Sequence, residues 1–69
     1  MIILSDREKR LLRRLADGKP DRKIASEIGG RRDQIAAQRE RLLSRLGISS
    51  DPEIKEAARL LARWPYHQS

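Results

Sequence analysis

Residues 24–48, IASEIGGRRDQIAAQRERLLSRLGI, run from a short segment with an apolar edge, through a Gly-Gly turn, into a longer Arg-rich segment. Two helices joined by a glycine-containing turn of about three or four residues form the arrangement that lets the second helix enter the major groove of DNA. The stretch therefore predicts a helix-turn-helix and, with it, a nucleic-acid partner. Ile24, Ala25 and Ile28 give the first helix a narrow apolar edge, and Gly29-Gly30 ends it. Ile35, Leu42 and Leu46, flanked by Leu43, mark the buried edge of the second. At about 100° per residue, Asp33, Gln34, Ala37, Glu40, Arg41, Ser44 and Arg45 point away from that edge and are free to meet a partner.

Working outward, the signals for helix ends agree with the apolar periods. Pro20 and Asp21 open a helix over 21–28, since proline suits a first turn and an acid favours the positive end of the helix dipole. The Arg-rich helix spans 32–46 and stops at Gly47. Upstream, Ser5 with Glu8 makes a capping box for a helix over 6–17, in which Leu11, Leu12 and Leu15 form one stripe and Gly18 suits the left-handed position beyond it. Downstream, Ser49, Ser50 or Asp51 caps a helix over 51–64, with Pro52 in its first turn and Pro65 after its end. The expected fold is all-α, one four-helix domain over residues 1–69, with 65–69 a frayed tail.

Composition narrows the partner further. A chain of 69 residues buries only about 60% of its unfolded surface. With no cysteine, no Phe, and only Trp64 and Tyr66 as aromatics, the core must be Leu, Ile and Ala. Met1-Ile2-Ile3-Leu4 is far shorter than a signal segment or membrane span, so a soluble, cytoplasmic protein without membrane contact is expected. The net charge is +6, with 13 Lys+Arg against 7 Asp+Glu in residues 1–50, and 3 against 3 in residues 51–69. The basic surface thus belongs to the first three helices, and a polyanionic partner is the usual meaning of such an imbalance. The competing account is that Arg-rich helices are simply well solvated; on the first helix the face of Lys9, Arg10, Arg13 and Arg14 is either solvated, the favoured reading, or near phosphates. Arg39, near the buried edge, is expected to cover apolar surface with its stem.

Enzyme chemistry has little to work with. The only histidine is His67, and Glu53 and Glu56 sit on a helix with no second group to tune them. Ligands for a metal site are absent, and no cofactor is expected. In the fourth helix Ile54, Ala57, Ala58, Leu60, Leu61 and Trp64 cover an arc wider than is needed to seat it on a small core. The surplus predicts a dimer interface through Ile54, Ala57, Ala58, Leu61 and Trp64; the alternative is that Leu60 or Trp64 is a singly exposed apolar residue.

Leu4-Ser5-Asp6-Arg7-Glu8, Leu12, Leu15-Ala16-Asp17-Gly18, Ile24-Ala25, Ile28, Ile35, Leu42 and Leu46-Gly47-Ile48 together resemble, without a gap, the LuxR-type (GerE-like) helix-turn-helix domain. The resemblance covers about residues 4–62. It implies a four-helix, stand-alone DNA-binding transcriptional regulator whose third helix reads the major groove of double-stranded DNA and whose fourth forms a homodimer on a two-fold site. Region 4 of sigma factors shares the first part of the pattern, and the Leu46-Gly47-Ile48 end with a fourth helix favours the LuxR-type domain.

The departures reassign roles. Where the family usually places Thr-Val-Lys-x-His, this chain has Gln34-Ile35-Ala36-Ala37-Gln38, so the basic side chain is missing at Ala36 and Gln38 stands at the histidine position. Glu40 on the outer face would repel phosphates unless it accepts from a cytosine amino group. Arg31 replaces a small hydroxyl residue at the helix start, losing a cap worth about 1 kcal/mol. Arg41 and Arg45 are expected on phosphates or a guanine edge, Gln34 on adenine, and Ala37 on a thymine methyl. Arg31, Arg32 and Arg22 are expected on phosphates. A protein-directed alternative is that the domain pairs through its fourth helix with a larger regulator of the same type and antagonises it.

Overall fold

The computed structural model describes residues 2–64. Its elements are α1 (Asp6–Ala16), α2 (Asp21–Ile28), α3 (Arg32–Leu46) and α4 (Asp51–Ala62), and no strand occurs among the described residues. The expected tail at 65–69 lies outside the described residues.

Helix starts follow local chemistry. The Ser5 backbone N–H donates to Glu8 Oε1 at 2.8 Å and the Glu8 N–H to Ser5 Oγ at 3.1 Å, a reciprocal pair that satisfies two otherwise unpaired donors. Ser50 and Glu53 repeat the arrangement at α4, where Ser50 N–H and Oγ donate to Glu53 Oε1 at 3.1 and 2.8 Å. At α3 the expected loss of a cap is half made good. Arg31 has no acceptor to offer, but its backbone N–H donates to Gln34 Oε1 at 2.9 Å.

The ends of α1 and α3 are alike. After α3, Gly47 takes φ 69°, its N–H donates to Ser44 O, and Ile48 N–H donates to Leu43 O, both at 3.1 Å. After α1, with Gly18 at φ 74°, Gly18 N–H meets Leu15 O at 3.0 Å and Lys19 N–H meets Arg14 O at 3.1 Å. Both are Schellman closures, which need a left-handed residue at the glycine position.

α4 ends at Ala62, two residues before the expected limit at 64. Arg63 turns left-handed (φ 56°), Arg13 Nη1 donates to Ala62 O at 2.8 Å, and the Trp64 indole N–H donates to Asp17 Oδ1 at 2.7 Å. The chain folds back onto α1 instead of continuing the helix. These contacts also correct the solvated reading of the basic α1 face for Arg13 and Arg14. Arg13 is spent on α4, and Arg14 donates to Glu27 at 2.8 Å and to Arg10 O at 3.0 Å.

The core is Leu4, Leu11, Leu12, Ala16, Ile24, Ile35, Leu42, Ile54, Ala58 and Ala62, with Leu12, Ile24 and Ile35 its largest fully enclosed side chains. Every helix contributes to this one cluster. α1 lies mainly against α4, and α2 against α3, with the α2–α3 pair resting on α1.

Candidate nucleic-acid interface

On α3, Gln34, Gln38, Arg41 and Arg45 recur at i, i+4, i+7 and i+11, which places them on one stripe of the helix. Asp33, Ala37, Glu40 and Ser44 form the neighbouring stripe and are exposed. The first stripe borders the start of α1. A cleft lined by Ser5, Arg7, Glu8, Leu11, Gln38, Arg41, Leu42 and Arg45 runs between them, with a volume of about 200 Å³.

Arg7 organises the junction. Its Nη1 donates to Ile28 O at 2.8 Å and its Nη2 to Gly29 O at 2.9 Å, so one guanidinium satisfies two carbonyls where α2 runs out of partners. The Nε and Nη2 of the same group donate to Gln38 Oε1 at 3.4 and 3.3 Å. Gly30, at φ 105°, is where the chain passes this cluster. A Cβ there would lie 3.2 Å from both Arg7 Nη2 and Gln34 Oε1, so glycine supplies both the backbone angle and the space. Arg7 was not singled out as functional from sequence. Its signal is its place in the stripe Arg7, Leu11, Leu15, a cation in register with apolar residues.

The remaining expected contact residues divide by their partners. Arg45 Nη2 lies 2.8 Å from Glu8 Oε2, tying the last turn of α3 to the first turn of α1. Arg31 is paired with Asp33 at 3.4 Å, with both side chains open to solvent. Arg22, Arg32 and Arg41 are exposed and have no acidic partner among the described residues; Ala37 is exposed and Gln38 half-buried. Arg39 forms an ion pair with Asp21, which adds a cross-link between α2 and α3 to its expected covering of apolar surface.

Carboxylates that accept these bonds are held below their usual range. For Glu8 the main cause is the Ser5 backbone N–H, opposed by burial and helped by Arg45 and the Ser5 hydroxyl. Lys19 and then Arg14 do the same for Glu27, and Ser50 for Glu53.

The interface expected on α4 is only partly available. Ile54 and Ala58 are buried in the protomer's own core and are withdrawn from that surface. Trp64 is half-buried and bonded to Asp17. Ala57 and Leu61 remain partly accessible, while Leu60, which is 65% exposed, faces out fully. With Ile2, Leu46, Ile48 and Pro52 they line a shallow apolar groove of about 500 Å³.

The family model described as bacterial regulatory proteins, luxR family, matches residues 2–58. The chain belongs to the luxR family. The match takes in α1, α2, α3 and most of α4, and stops short of the Ala62–Trp64 turn that fastens α4 to α1. The luxR-family domain is a DNA-binding regulatory one, which agrees with the basic surface on the first three helices. Neither a curated protein nor a solved structure matches the chain. No helix among the described residues is long and apolar enough to cross a membrane, and these residues hold no cluster of His, Cys, Asp or Glu fit for a metal ion.

Proposed function

We propose that the protein is a sequence-specific, DNA-binding transcriptional regulator that lays α3 in the major groove, acts in the cytoplasm as a homodimer through α4, and needs no cofactor. The observation that carries this reading is the α3 stripe of exposed Gln34, Arg41 and Arg45 with half-buried Gln38 in a chain of the luxR family. Its length supports the role. From Gln34 to Arg41 the helix rises about 10 Å, comparable to about three base-pair steps. Arg41 is the long cation on that stripe with no acidic partner among the described residues; Arg22 and Arg32, also unpaired there, suit phosphates on either side. For the dimer, the apolar groove around Leu60 and Leu61 supplies the surface.

The test is selection of the purified protein against a randomised duplex pool at about 0.15 M salt, where nonspecific binding is expected at about 10⁻⁴ to 10⁻⁶ M. Enrichment of a two-fold motif is the expected result, and no enrichment removes the reading.

A second reading is favoured by the same groove together with Ala36 and Glu40 on α3. In it the protein pairs through α4 with a larger luxR-family regulator and antagonises it. It predicts weak, salt-sensitive DNA binding by the isolated protein and capture of such a regulator by a tagged copy.

A further inference from the structure

The Gln38 amide on the α3 stripe is not free to use both of its ends. Gln38 Oε1 receives two N–H groups from Arg7, which occupies both carbonyl lone pairs. Gln34 Oε1 receives the Arg31 backbone N–H at 2.9 Å. Neither Nε2 amino group has an acceptor among the described residues. Arg41 and Arg45 continue the stripe as guanidinium groups, which have donors only. Along Gln38, Arg41 and Arg45 the helix therefore presents hydrogen-bond donors, Gln34 keeps one free lone pair beside its amino group, and the acidic acceptors Asp33 and Glu40 lie on the neighbouring stripe.

We infer that this stripe reads guanine-rich steps, several guanines on one strand, in preference to adenine. The inference rests on the proposed reading of DNA by α3 and specifies which base edges it takes. Guanine shows two acceptors, N7 and O6, in the major groove, whereas adenine shows an acceptor and a donor. A glutamine normally recognises adenine with both ends of its amide at once, the oxygen accepting from N6 and the amino group donating to N7. Gln38 has surrendered that oxygen to Arg7, so an adenine N6 amino group opposite it would go unpaired. Arg7, two helices away from the groove in chain order, is thus a positioning residue for base choice, and Gly30 makes room for the arrangement.

The experiment starts from the randomised-pool selection and follows it with single-site chemistry. The expected motif carries two or more guanines on one strand of each half-site. Replacing those guanines one at a time with 7-deazaguanine, which lacks the N7 acceptor, lowers affinity about tenfold at the contacted positions. Gln38→Ala lowers the preference for guanine at one position and leaves the others. Arg7→Lys frees the Gln38 oxygen and moves the preference at that position toward adenine. Should Arg7→Lys fail to fold, as judged by its circular dichroism melt, Gln38→Ala and the deaza substitutions decide. A motif with adenine at the position sensitive to Gln38→Ala, or affinity indifferent to every deaza substitution, overturns the inference while leaving α3 a DNA reader. Failure of the pool to enrich any motif overturns it as well, and is recognisable as failure of the underlying reading.

Discussion

The guanidinium of Arg45 and the carboxylate of Glu8 meet at 2.8 Å, joining the last turn of α3 to the first turn of α1, and the same carboxylate closes the Ser5 capping box. One acid thus serves a helix start and an inter-helix tie. Glu8, Glu27 and Glu53 all have pKa values lowered from 4.5 by such partners. A carboxylate whose folded pKa is depressed contributes stability that is present above the unfolded value and lost as pH falls through the folded one. Urea midpoints are therefore expected to hold from neutral pH down to about 5 and to fall progressively below it. Glu8→Gln should flatten part of that fall, and an unchanged profile in this variant would remove Glu8 as a contributor.

Arg7→Met leaves the Ile28 and Gly29 carbonyl oxygens without their donor. The expected cost is about 1–3 kcal/mol, read as a drop of several degrees or more in Tm for a domain of this size. Arg7→Lys should recover only part of it, because a single ammonium does not reproduce the fork that reaches two carbonyls and an amide. A Tm equal to that of the parent in both variants would deny Arg7 its structural role.

Arg41→Ala should weaken DNA binding and reduce the salt slope by about one if the side chain meets a phosphate. Arg45→Ala is expected to have the smaller effect on affinity, since Glu8 already shares that charge. Titrations of labelled duplex at several salt concentrations separate the two. Equal, unchanged slopes and affinities would show that the stripe does not touch DNA.

Leu60→Glu tests the α4 surface with little risk to the fold, because Leu60 is largely exposed. Sedimentation should show a dimer for the parent and a monomer for the variant, with stability changed by no more than about 0.5 kcal/mol. An identical sedimentation profile would move the interface elsewhere.

Most helix limits were legible because their signals are local. Ser5 with Glu8, Gly18, Gly47 and Ser50 with Glu53 each act within a few residues of the boundary they set. The end of α4 was not, since Arg63 carries no glycine-like stop signal and the turn is fixed by Arg13 and Asp17, far away in the chain. For the apolar arc on α4, periodicity gives its width and not which part faces inward. Ile54 and Ala58 took the inner half. On α3 the outward residues were identified from angle alone, while the tethers on Gln34, Gln38 and Arg45 come from neighbouring loops and helices and leave no mark in the periodicity of α3.

Trp64 is the sole tryptophan of the chain, and its indole N–H is bonded to Asp17 across the seam between α4 and α1. The molecule therefore carries one indole fluorophore, placed where the first and last helices meet. Its emission reports that seam directly, while far-ultraviolet ellipticity reports all four helices together. Any condition that loosens α4 from α1 without melting them would appear as a change of tryptophan colour at constant helicity, an optical separation of docking from folding that requires no label.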